Sequence, residues 1–178
     1  MPRIISIDPS LSNTGIAILD NGILQNCYNI KTKKPKFDYL DTRFQLIAES
    51  FSKILTITNP EVLVIESQYL GCNVHTMAKV IEVKGILKGI YAAYCLQKNL
   101  NCQMLDIHPL TAKTAIGVSK KLKREESKLA VREAVCRMFP SLNTFDENVI
   151  DAIAIGVAGE FQFNLKNLHK KVDKVAKV

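Results

Sequence analysis

Hydrophobic positions in the first third of the chain come in short runs. RIISID (residues 3–8) and TGIAILD (14–20) are apolar and β-branched, and each ends on an acid. GILQNCYNI (22–30) follows directly, and Asn21-Gly22 at the junction is the dipeptide that a tight hairpin turn favours. The pattern therefore predicts three short strands. KTKKPKF (31–37) is a basic connector in which Pro35 forbids a regular element. From Tyr39 to Ile57 the period changes: Leu40, Phe44, Ile47, Phe51, Ile54 and Leu55 recur at helical spacing.

NPEVLVIES then reads as a buried strand closing on Glu66. Val74 to Leu96 reads as a long helix, with Met77, Val80, Ile81, Ile86, Leu87 and Ile90 as its apolar positions. CQMLDIHP is a further strand stopped by Pro109, followed by helices over Thr111 to Gly117 and Glu125 to Phe139. A last apolar helix begins near TFDENVIDAIAIGVAG. An antiparallel hairpin block followed by strand–helix alternation predicts an α/β domain, a mixed sheet covered by helices. The domain is expected over residues 1–160, with 161–178 as a basic C-terminal tail, either frayed helix or disordered, carrying five lysines against one acid.

Composition narrows the function classes. A chain of 178 residues with 47% hydrophobic content can bury one sizeable core. The net charge of +7 favours anionic partners, nucleic acid among them. No run approaches the length of a membrane span, and no charged-then-apolar leader opens the chain, so no membrane association is expected. Cys27, Cys72, Cys95, Cys102 and Cys136 lie far apart, as do His75, His108 and His169. That scatter predicts reduced thiols, mostly in the core, and no zinc site.

Three acids stand where packing does not call for one. Asp8 and Glu66 end apolar strands, and Asp151 interrupts an apolar helix between Ile150 and Ala152. Carboxylates on apolar elements are costly unless paired, and one shared cation would account for all three. An all-oxygen set suits Mg²⁺ or Mn²⁺, and two such ions would hold a phosphate and a water for in-line attack. In the apolar helix Glu147 and Asn148 share a face with Asp151, while Asp146 is placed to cap its start. Between Lys113 and Arg137 lie eight basic residues and three acids. Of these, Lys120, Lys121, Lys123 and Arg124 form a basic loop before a helix, suited to DNA backbone.

IDPSLSNTGIAIL, EVLVIESQY, IHPLTAKTAIG and NVIDAIAIG, in this order and at these spacings, resemble the RuvC class of Holliday-junction resolvases, cellular or phage-type, in the RNase H-like superfamily. The resemblance covers residues 1 to 160 and implies a five-stranded mixed sheet with flanking helices. It implies a homodimer that nicks two like strands of a four-way junction, with Asp8, Glu66 and Asp151 as ligands of Mg²⁺, Mn²⁺ substituting. Lys113 and Lys128 match lysines near the scissile phosphate, and Tyr69 matches an aromatic that stacks on a base at the junction centre. The long helix, with Gly85 and Gly89, matches the dimer contact. A branch-migration motor is a further conceivable partner, and the expected compartment is the cytoplasm of a bacterial cell or of a phage host.

One position departs from the family. Asn148 stands where the family has an acid or a histidine, so the expectation is a weak or water-mediated ligand, with Glu147 as substitute. The rival expectation is a branched-DNA-binding module of the same fold with weakened or absent cleavage. A sugar-kinase or actin-like ATPase is disfavoured, since the chain is too short for two lobes and lacks a second phosphate-binding glycine loop.

Overall fold

The computed structural model describes residues 2–32, 40–67, 74–142 and 146–175, with side chains as far as residue 169. The strands are β1 (Arg3–Asp8), β2 (Asn13–Asp20), β3 (Ile23–Lys31), β4 (Val62–Glu66) and β5 (Gln103–Ile107). The helices are α1 (Leu40–Thr58), α2 (Val74–Gln97), α3 (Pro109–Ala115), α4 (Arg124–Met138) and α5 (Glu147–Val175). One five-stranded sheet runs in the order β3-β2-β1-β4-β5. The first three strands form an antiparallel meander, while β1, β4 and β5 are parallel. Asn21 and Gly22 both adopt positive φ, 53° and 76°, as a hairpin turn of this type requires.

A period of two assigns the strand residues to two cores. Ile5, Ile7, Leu63 and Ile65 pack under α1 and α2 with Phe51, Leu87 and Tyr91. Ile4, Val62 and Val64 pack on the other face with Val131, Val135, Ile153 and Ile155 of α4 and α5. Asp8 and Glu66 continue the second set, so both carboxylates emerge on the α5 face at adjoining strand ends. The parallel register Ser6↔Val64 and Ile7↔Ile65 puts them side by side.

α5 lies unusually close to the sheet. A Cβ at Gly15 would run into the carbonyl of Asn148 and come within 2.7 Å of the Val149 nitrogen. Gly156 and Gly159 are crowded in the same way by Ser6 and Val64. Ser6 Oγ reaches the Ala152 carbonyl at 2.7 Å, a buried polar tie between β1 and α5. Gly15 is thus needed for a helix to approach, whereas its neighbours in the sequence suggest only a small turn.

Two expectations are corrected, the start of α3 and the burial of the cysteines. α3 begins at Pro109, two residues before the expected start, because proline at the first helical position loses no hydrogen bond and His108 Nδ1 caps Leu110 N at 3.2 Å. α5 runs through residue 160 without a break, Phe163 still packing against the core. Among the described cysteines only Cys95 is buried; Cys102 is exposed and Cys27 and Cys136 are half-buried. Tyr69, Gly71, Cys72 and most of the KTKKPKF connector lie outside the described residues. Among the described residues no helix is long and apolar enough to cross a membrane.

Candidate active site

Two strand ends and the first turns of one helix build the site. α5 starts at the edge where β1 and β4 end, because Asp146 caps it: its Oδ1 accepts from Asn148 N at 3.2 Å. Asp151 therefore stands about one turn inside the helix, on the side facing Asp8 and Glu66. Although its neighbours are apolar, Asp151 is exposed at the mouth of a cleft rather than buried in the core. Val149, Ile150, Ala152 and Ile153 around it are buried against the sheet, while Asp151 acts on Asp8 and Glu66 at the strand ends.

That cleft, of about 210 Å³, is lined by Glu66, Lys113, Arg124, Ser127, Lys128 and Asp151 among others. An adjoining cleft shares Lys128 and Asp151 and adds Glu125, Arg132 and Glu147. Lys120, Lys121 and Lys123 line neither; they are exposed on the approach to α4.

The three acids disturb one another. Asp8 has its pKa held well above the usual carboxylate range, by burial first, then by Glu66 and Asp151; a hydrogen bond from the Asn148 side chain works against this. Glu66 is pushed up to about 7 by burial and by Asp151, with Lys84 and Lys113 pulling the other way. Asp151 rises to about 6, again through poor solvation first, with Lys113 countering. Like charges crowded in a poorly solvated place are what a divalent cation relieves, and the donors are all oxygen. The residues fit such an ion in charge and in donor chemistry. Among the described residues, no three His, Cys, Asp or Glu side chains close on a common point.

Asn148 is engaged elsewhere. Its Oδ1 accepts from Asn13 Nδ2 at 3.0 Å and its Nδ2 donates to Asn13 O at 2.6 Å. Asn13 also donates to Asp146 at 3.2 Å, and Lys31 pairs with Asp146 at 3.2 Å. Toward Asp8, Asn148 is a donor. Glu147 is paired with Lys128 at 2.8 Å on the solvent side. Three contributors escape a sequence reading: Asn13, Arg43 and Lys84. Arg43 is buried and bonds Leu11 O at 3.2 Å and Ser12 Oγ at 2.8 Å, bracing the turn beyond Asp8. An arginine buried in an amphipathic helix signals such a brace, but nothing in its spacing names the partner.

The family model for crossover junction endodeoxyribonuclease RuvC matches residues 4–159. The chain belongs to the RuvC family. It is 26% identical over 162 residues to the crossover junction endodeoxyribonuclease RuvC of Carboxydothermus hydrogenoformans, covering 88% of this chain and 94% of that protein. Its namesake from Borrelia turicatae is 27% identical over 157 residues, covering 87% and 93%. Thermus thermophilus RuvC, solved in complex with a Holliday junction substrate, superposes with a TM-score of 0.70 at 17% identity, over 92% of this chain and 96% of that one. That likeness establishes the RNase H-like fold of RuvC for the mixed sheet and helices described above.

Proposed function

We propose that this chain is a structure-selective endonuclease that resolves Holliday junctions and related branched DNA, hydrolysing phosphodiesters as a homodimer with two divalent ions per site. The observation that carries the reading is the electrostatic crowding of Asp8 by Glu66 and Asp151, the latter two lining a cleft with Lys113 and Lys128, in a chain of the RuvC family. Asp8, Glu66 and Asp151 would hold Mg²⁺, or Mn²⁺ in its place. Bound there, such ions supply Lewis acidity toward the phosphate and lower the pKa of water.

The chain's own residues supply the rest. Lys113 and Lys128, both lining the cleft, neutralise charge that develops on the phosphate oxygens. Lys128 must release Glu147 to do so, a modest demand for an exposed pair. Asn148 orients Asp8 by donating to it, and offers an oxygen to an ion only if its amide turns over. Lys120, Lys121, Lys123 and Arg124 contact DNA backbone, and Tyr69 stacks on a base at the junction centre. On α2, Ile81 faces solvent and a Cβ at Gly85 or Gly89 would meet only open space, so that face is free to take a second copy.

The Asn148 orientation also favours a second reading, a branched-DNA-binding module with weakened or absent cleavage. Incubating four-way, forked and linear DNA with Mg²⁺ and with Mn²⁺ separates the two. An endonuclease nicks the junction and Asn148→Asp raises its affinity for Mg²⁺. Tight junction binding without nicking at any concentration of either ion leaves the binding module.

A further inference from the structure

Lys84 reaches the site from the face opposite the cleft. It sits on α2, in the layer that packs against Ile65 rather than against α5. Its side chain is only 14% exposed. The ammonium donates to the Glu66 carbonyl at 2.9 Å and pairs with Asp106 Oδ1 at 2.5 Å. The other Asp106 oxygen holds Lys88 at 2.7 Å. Asp106 belongs to β5, where it is the register partner of Ile65, one residue before Glu66.

A largely buried ammonium is costly unless it is paired and hydrogen-bonded, and Asp106 meets that need. The pair alone would serve as a tether between α2 and β5. The contact with Glu66 goes further. The Glu66 carbonyl and the Ser67 N–H belong to one peptide unit, and Ser67 N donates to Ile107 O at 2.8 Å. Both polar ends of that planar unit are therefore engaged, one by Lys84 and one by β5. Fixing the unit fixes ψ of Glu66, and with it the direction in which the Glu66 side chain leaves the last residue of β4.

We propose that Lys84, braced by Asp106 and Lys88, is a positioning residue that aims the Glu66 carboxylate into the cleft and so sets the affinity of the site for divalent ions. Lys84 does not touch substrate; it acts through the Glu66 peptide. The inference rests on Glu66 being a metal ligand, as proposed above.

Two physical roles predict opposite signs. If Lys84 were only a nearby positive charge, its removal would tighten cation binding, since a repelling neighbour is lost. If it aims Glu66, its removal weakens binding, and support around a ligand is typically worth about 10–100-fold in metal affinity. The test is Mn²⁺ binding to the folded protein, followed by the loss of the free-ion electron paramagnetic resonance signal, with thermal unfolding recorded alongside. Lys84→Met binds Mn²⁺ at least about tenfold more weakly than wild type, and Lys84→Arg, which can still donate and still pair, regains most of the loss. Asp106→Asn, at a half-exposed position, gives a smaller weakening and carries the same test should Lys84→Met not fold. Binding by either variant as tight as wild type, or tighter, overturns the proposal. Wild type that takes up no Mn²⁺ overturns the metal site itself, a separate outcome.

Discussion

Glu66 holds its proton more tightly in the folded chain than in the unfolded one, its pKa moving from 4.5 to about 7 under burial and the nearby Asp151. The sign of the consequence follows from proton uptake. An acid raised in the folded state favours folding most at low pH, and that contribution is lost as pH rises from the unfolded value through the folded one. Glu66→Gln, which cannot ionise, escapes the loss. Without divalent ions the variant should be more stable than wild type at about pH 8, by on the order of 2 kcal/mol, and the gap should close toward about pH 4.5. Thermal unfolding in chelator across that range measures it. Mn²⁺ should reverse the order at high pH, because only wild type then gains binding energy on the folded side. A pH-independent gap would mean that Glu66 does not carry the electrostatic cost assigned to it.

At the scale of elements, the site depends on how closely α5 approaches β2. Gly15→Ala places a methyl on the Asn148 carbonyl, so the start of α5 must move outward, carrying Asn148 and Asp151 with it. The expected loss of stability is about 1–3 kcal/mol, with junction cleavage falling much further than junction binding. Equal losses of cleavage and binding would show that α5 does not carry the chemistry. The basic residues of α4 and of the segment before it divide in the same testable way. Lys128→Ala should depress turnover far more than binding. Neutralising Lys120, Lys121 and Lys123 together should weaken binding and flatten its salt dependence by up to roughly three phosphate contacts.

These elements also show where a sequence is legible. Asp8 and Glu66 stand out in the sequence because each closes a short apolar run. The capping Asp146 stood out because a side-chain oxygen there has one obvious use, and the structure uses it. Asp151 was visible, but its exposure was not, since helical spacing alone does not say how far the sheet extends beneath the helix. Lys84 reads as an ordinary surface charge on α2: its partners Glu66 and Asp106 are remote in sequence and meet only once β4 and β5 pair. Asn13 was hidden for the same reason, its partners arriving from the start of α5. The helical continuation past residue 160 was open because lysine-rich composition fits a frayed end, whereas packing of Phe163 decides for a helix.

On the scale of the whole molecule, one sheet carries two cores with different tasks. The face under α1 and α2 supports strand ends from behind, through Arg43 and Lys84, and a Cβ at Gly85 or Gly89 of α2 would meet open space. The face under α4 and α5 carries the cleft with Glu66, Asp151 and its lysines, and Asp8 feels both of those acids. The central claim is that Asp8, Glu66 and Asp151 act as one unit in Mg²⁺-dependent cleavage. Nicking of a synthetic four-way junction, mapped to the nucleotide and timed for wild type, Asp8→Asn, Glu66→Gln, Asp151→Asn and their double variants, tests it most directly. Residues that work as a unit are strongly non-additive. The account predicts paired nicks in two like strands by wild type, and the same low floor for every single and double variant, with junction binding retained. Independent, multiplying losses, or a variant that still cuts near the wild-type rate, would contradict it.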